Sequence, residues 1–114
     1  MKLSGIGEFG LIDIFKEELD SPSSGLLCSI GDDAAVYRLS EGRAGLITTD
    51  SLVEGVHFRR KYTSSFQIGW KSLAVNVSDI AAMGGESRYG VVSLALDRNW
   101  TESEARGLYE GIGA

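Results

Sequence analysis

Proline, cysteine and histidine each occur once in 114 residues. One proline beside 15 glycines excludes a Pro-rich or collagen-like chain. A single cysteine, Cys28, allows no intrachain disulfide and fits a reducing cytoplasm. Cys28 lies far along the chain from His57, the one histidine, so it reads as a small buried thiol rather than a nucleophile. Positive charge is also scarce. Eleven Lys and Arg against 16 Asp and Glu leave a net charge of −5, the reverse of a nucleic-acid-binding surface. No apolar run approaches the roughly 20 residues that span a bilayer. Glu8 and Asp13 interrupt the apolar N-terminal portion, so no signal peptide is expected. Neither GxGxxG nor GxxxxGK[ST] occurs, which removes support for a Rossmann or Walker-type nucleotide site.

The rest of the composition, 43% hydrophobic and 24% charged, is that of a soluble globular chain of one domain at most. The glycine share is nearly twice the usual value of about 7%, which points to tight turns or close backbone approach to a ligand. In EFGLIDIFKEEL, residues 8–19, Phe9, Ile12, Phe15 and Leu19 recur at helical spacing. That helix is expected to end near Asp20, Ser21 and Pro22, with a loop over 21–25. Two strands, Ala34–Leu39 and Ala44–Asp50, follow around a turn at Ser40–Arg43. The longest helix begins at a capping box of Ser64 and Gln67. It carries the stripe Phe66, Trp70, Leu73, Val77, Ile80 and Ala81, and stops at Gly84 and Gly85. The apolar run at 88–97 reads as a strand buried on both faces. A second capping box, Thr101 with Glu104, opens a last helix whose Leu108 and Ile112 want a further turn, as though the fold were cut short. The order α, β, β, α, β, α predicts an α+β layout, a mixed sheet with packed helices.

Chemistry is carried mainly by aspartates. Asp32 and Asp33 stand side by side in SIGDDAAV, at the mouth of a strand, where aspartate is a poor fit. Asp50 follows Thr48 and Thr49 at the carboxyl end of the next strand, as a metal ligand or as a turn former. Asp79 lies near the C-terminal end of the long helix, where the helix dipole disfavours negative charge. Either a bound cation or a partner such as Lys71 or Arg88 would account for it. Carboxylates and hydroxyls without nearby thiols or imidazoles suit magnesium rather than zinc. His57 lacks the companions of a zinc site and reads as a substrate donor or a loop side chain. The run Arg59-Arg60-Lys61 meets phosphate or is simply solvated. Trp70 and Trp100 read as packing residues rather than stacking platforms.

Four stretches taken together, GEFGLI (7–12), SIGDDAAV (29–36), TTDSLVEGVHF (48–58) and GWKSLAVNVSDIAAMGG (69–85), resemble the N-terminal portion of the thiamine-monophosphate kinase family. That family sits in a superfamily with aminoimidazole ribonucleotide synthetase, selenophosphate synthetase and a hydrogenase maturation protein. The N-terminal segment lacks the reactive Cys expected of a selenophosphate synthetase, and DSLVEGVHF stands where an aminoimidazole ribonucleotide synthetase would show a DGVGTK-like stretch. The hydrogenase protein would share TTDS but not EGVHF.

The resemblance implies transfer of the γ-phosphoryl group of ATP onto the phosphate of thiamine monophosphate, with several magnesium ions. Carried onto this chain, it makes Asp33 a metal ligand, has Asp50 with Thr48 and Thr49 hold further metal, and has Asp79 bridge ions. It places His57 on the thiamine phosphate and Tyr109 on the nucleotide. Asp32 is left to shape the turn or to support the ligands. Residues 1–114 would form an incomplete N-terminal ATP- and magnesium-binding domain of a fold that dimerises through this domain. The C-terminal domain would be absent and the piece inactive alone. Nucleic-acid and membrane partners are not expected. The other readings are a different ATP-using member of the superfamily, making selenophosphate or aminoimidazole ribonucleotide, or a non-catalytic magnesium- or nucleotide-binding dimerisation module.

Overall fold

A computed structural model describes residues 2–19 and 25–114. The chain falls into two compact units, Met1–Thr48 and Thr49–Ala114. Each is described by itself.

In the first unit a short 3-10 turn, Leu3–Gly5, leads into helix α1, Glu8–Glu18. Its expected stop at Asp20, Ser21 and Pro22 lies outside the described residues, as does the expected 21–25 loop except for Gly25. The apolar stripe is there but barely used. Phe9 is 80% exposed and Leu19 68%. Strands β1, Leu26–Cys28, β2, Ala35–Ser40, and β3, Arg43–Ile47, form a sheet in the order β1-β2-β3, antiparallel throughout. β2 and β3 lie within a residue or three of their expected bounds, whereas the three-residue β1 was not expected: LLC is too short to show a period. β1 meets β2 through an irregular register, Leu26 opposite Tyr37 and Cys28 opposite Val36. Cys28 is half-buried there rather than sealed in a core. Tyr37 faces Gly45 across β2 and β3, and its ring fills the space a Gly45 side chain would take. Ala34, at the base of β2, is the buried side chain among this unit's described residues.

The second unit is built on two helices. Helix α2, Ser65–Ala82, starts at Ser64, whose hydroxyl accepts from Gln67 N–H while the Gln67 side chain accepts from Ser64 N–H. It stops as its glycines suggest. Gly85 N–H donates to the Ile80 carbonyl and Gly84 N–H to the Ala81 carbonyl, with Gly84 at φ +75. Helix α3, Glu102–Gly113, opens on the equivalent box of Thr101 and Glu104. Both capping boxes were legible because they are local. The described residues thus hold three α-helices and one three-stranded sheet, an α+β content as expected. The sheet is antiparallel throughout rather than mixed, because its strands join through short local connections.

Two expectations fail in this unit. Residues 88–97 form no strand, and Tyr89 and Val91 are 99% and 100% exposed. A strand exists through its pairing, and no described strand runs alongside this segment. The large stripe of α2 is also not its buried seam. Trp70 is 55% exposed, with Phe66, Leu73 and Val77 also exposed, whereas Ile68 and Gly69 are buried. Helix α3 chose small residues over large ones. A Cβ on Gly69 would run into the Leu108 carbonyl, one on Gly111 into the Phe66 carbonyl, and one on Gly107 into the Ser65 hydroxyl. The two backbones cross in direct contact, and Ile68 and Leu108 close over the crossing.

This crossing gives a sign-inverted test. Alanine favours a helix interior over glycine by about 1 kcal/mol, yet Gly69→Ala and Gly111→Ala are expected to destabilise the protein by about 1–3 kcal/mol through overpacking. Gly113→Ala, with open space around it, is the control and should be neutral or slightly stabilising. Urea midpoints of the three variants check this.

Candidate functional site

The expected site residues divide between the two units. Asp33 and Thr48 belong to the first; Thr49, Asp50, His57, Asp79 and Tyr109 belong to the second.

In the first unit Asp33 and Thr48 come together because β2 and β3 pair, with Ala35 opposite Ile47. The Thr48 hydroxyl donates to the Asp33 carbonyl at 3.0 Å. That bond fixes the backbone of Asp33 and leaves its exposed carboxylate uncommitted among the described residues. Its neighbour plays another part. Asp32 turns its Oδ1 back onto Asp33 N–H at 2.8 Å, beside Gly31 at φ +118, a conformation that side chains rarely adopt. The doublet thus separates into a turn former and an exposed carboxylate without a partner among the described residues.

In the second unit Asp50 accepts from Ser51 N–H through Oδ1 at 2.8 Å, and Thr49 beside it is exposed. Asp79 is half-buried on α2 and takes part in none of the ion pairs among the described residues. The partners first considered for it are engaged elsewhere: Lys71 with the His57 carbonyl at 3.5 Å, Arg88 with Glu86 at 3.8 Å. Tyr109 is exposed on α3. No three His, Cys, Asp or Glu side chains gather as a metal cage among the described residues. The donors are carboxylate and hydroxyl oxygens, and magnesium is held by one or two carboxylates together with waters and phosphate oxygens. The residues fit that ion as partial ligands rather than as a closed set.

His57 sits in a tight turn. Its N–H and that of Val56 both donate to the Val53 carbonyl, and Gly55 N–H donates to the Phe58 carbonyl at 2.7 Å. The Val53 N–H donates back to His57 Nδ1 at 2.8 Å. Close by, Glu54, Gly55, Arg59, Arg60, Lys61 and Tyr62 line an open hollow of about 490 Å³.

The basic run proves heterogeneous. Arg60 is not free to meet phosphate. Its guanidinium pairs with Glu104, lies 3.7 Å from Glu54 Oε1 and stacks 4.7 Å from the centre of the Trp100 ring. Trp100 is therefore a packing residue, as expected, with a cation as its neighbour. Glu104 serves twice: Oε1 accepts from Thr101 N–H in the capping box and Oε2 from Arg60. The Arg60 hydrogen bond, followed by that from the Thr101 backbone, holds the Glu104 carboxyl below its ordinary range, and the same bond raises Arg60. Arg60 and Lys71 were missed as organisers because their partners are remote in sequence; the only visible signal was a capping-box glutamate with an oxygen to spare.

A family model described as "AIR synthase related protein, N-terminal domain" matches residues 31–114. The chain belongs to that family. Within it, the chain is similar to thiamine-monophosphate kinases: 52% identical to that of Bacillus subtilis (strain 168) over 83 residues, 73% of this chain and 26% of the relative. It is 41% identical to that of Aquifex aeolicus (strain VF5) over 112 residues, 98% of this chain and 34% of the relative. It is 36% identical to that of Escherichia coli (strain K12) over 107 residues, 91% and 33%. The chain thus spans about a third or less of these curated relatives. No solved structure gives a significant match. Among the described residues no helix is long and apolar enough to cross a membrane.

The Arg60 pair has a pH signature. Because the folded-state pKa of Glu104 is lowered, its contribution is fully present above the ordinary glutamate pKa and lost as pH falls through the lowered value. Glu104→Gln keeps a capping-box acceptor and removes the charge. The thermal midpoint of the variant should fall below the parent's at neutral pH, and the gap should close on acidification.

Proposed function

We propose that this chain is the N-terminal part of a thiamine-monophosphate kinase, acting in the cytoplasm, which transfers the γ-phosphoryl group of ATP to the phosphate of thiamine monophosphate and gives thiamine diphosphate. The observation that carries this reading is 52% identity over 83 residues to a relative of that name. The relatives named above all carry the name thiamine-monophosphate kinase.

The residues of the chain suit the reaction. Donor and acceptor are both phosphates, so the transfer must overcome repulsion between anions with little covalent help from the protein. In a chain of net charge −5, carboxylates outnumber the cations available to meet phosphates. Asp33, Asp50 and Asp79, with the hydroxyls of Thr48 and Thr49, would hold magnesium, which supplies positive charge to the phosphates when bound. His57 would donate to an oxygen of the thiamine phosphate and hold it in line, and Tyr109 would contact the nucleotide. The chain would work as a dimer and would be inactive as the 114-residue piece.

Formation of thiamine diphosphate from thiamine monophosphate and ATP by the full-length protein that carries this chain tests the reading. Magnesium-dependent turnover is expected, with none from residues 1–114 alone. No turnover by the full-length protein, or preferred use of selenide or an aminoimidazole precursor, would overturn it. His57→Ala should raise KM for thiamine monophosphate about 10- to 100-fold, the loss of a hydrogen bond to a charged group. Asp79→Asn should raise the magnesium concentration needed for turnover.

A further inference from the structure

We propose that the Val53–Phe58 turn is a positioning device that fixes His57 in one tautomer and one orientation, so that its Nε2–H is a dedicated donor to a phosphate-ester oxygen; the phosphate part of this inference rests on the proposed function above. A neutral imidazole has one nitrogen that donates and one that accepts. A backbone N–H can only donate, and Val53 N–H lies 2.8 Å from His57 Nδ1. Nδ1 is therefore the acceptor and the ring proton is on Nε2. The ring can also take no proton at Nε2, which excludes His57 as a general base through that atom. Nε2 has no partner among the described residues, and the side chain is exposed. The outward face of the ring is thus a single N–H.

The orientation is secured from three sides. The Val53 carbonyl accepts from both Val56 N–H and His57 N–H, at 3.0 and 2.8 Å. The His57 carbonyl accepts from Lys71 Nζ on α2 at 3.5 Å. Gly55, at φ +82 between Glu54 and Val56, lets the chain reverse tightly enough for residue 57 to reach back to residue 53. Nothing lies within 4 Å of where a Gly55 Cβ would stand, so its requirement is one of backbone conformation alone. Gly55 is a positioning residue. It touches no substrate in this account and acts through His57.

The test uses 15N-labelled protein. A scalar coupling across the hydrogen bond between Val53 amide nitrogen and His57 Nδ1, with His57 Nδ1 unprotonated and Nε2 protonated at neutral pH, is the expected result. Absence of the coupling, or a mixture of tautomers, would overturn the proposal irrespective of any enzymatic result. Gly55→Ala should abolish the coupling in a folded protein and raise KM for thiamine monophosphate about tenfold, in line with the strain of a side chain at positive φ, while kcat changes little. Gly55→Asn, which tolerates that conformation, should recover both. A Gly55→Ala protein that keeps the coupling would refute the role of Gly55. Coupling lost with KM unchanged would refute the phosphate role while leaving the kinase activity itself standing.

Discussion

Direct backbone contact between α2 and α3 is the constraint on which the second unit depends. Gly69 and Gly111 bring the two helices together at a distance no other side chain would permit. Beyond the turn's own hydrogen bonds, the contacts that tie the His57 segment to the rest of the unit run to one helix or the other. Lys71, on α2, reaches the His57 carbonyl. Glu104, in the first turn of α3, takes Arg60, three residues beyond His57. The turn is thus tied to both helices at once. A loop fixed only by its own hydrogen bonds would sample many conformations; one tied to two crossed helices keeps its donor in place.

Charge is distributed with the same economy. The two side chains that organise the turn, Arg60 and Lys71, are committed within the protein, and Arg60 borders the open hollow together with Arg59 and Lys61. Asp32 closes its own turn, and the Asp33 carboxylate has no partner among the described residues. Asp50 and Asp79 carry no ion pair among the described residues. A protein that handles phosphates by recruiting magnesium would need carboxylates in that state, without internal cations that satisfy them in advance.

How far the sequence could be read follows from the range of each interaction. Both capping boxes and the double-glycine helix stop involve residues within five positions of one another and were legible. The β2–β3 hairpin was legible from its β-branched runs and the turn between them. The buried seam of α2 was not. Hydrophobic periodicity identifies the largest stripe, Phe66, Trp70, Leu73 and Val77, whereas the crossing with α3 runs through Gly69, which periodicity scores as nothing. The 88–97 segment failed for a related reason: apolar content reads as a strand, but pairing makes one. As for the candidate site, residue types and the resemblance in SIGDDAAV, TTD and EGVHF nominated its members. Only coordinates could show that Nδ1 of His57 is tied to Val53, or that Arg60 is spent on Glu104.

The claim that the helix crossing holds the His57 turn is open to one direct measurement, hydrogen exchange at the Val53 amide in the parent protein and in Gly111→Ala. Residue 111 lies on α3, far along the chain from the turn, so only the crossing and its tethers connect them. The account predicts faster Val53 exchange in the variant under native conditions. Val53 exchange unchanged by Gly111→Ala would contradict it.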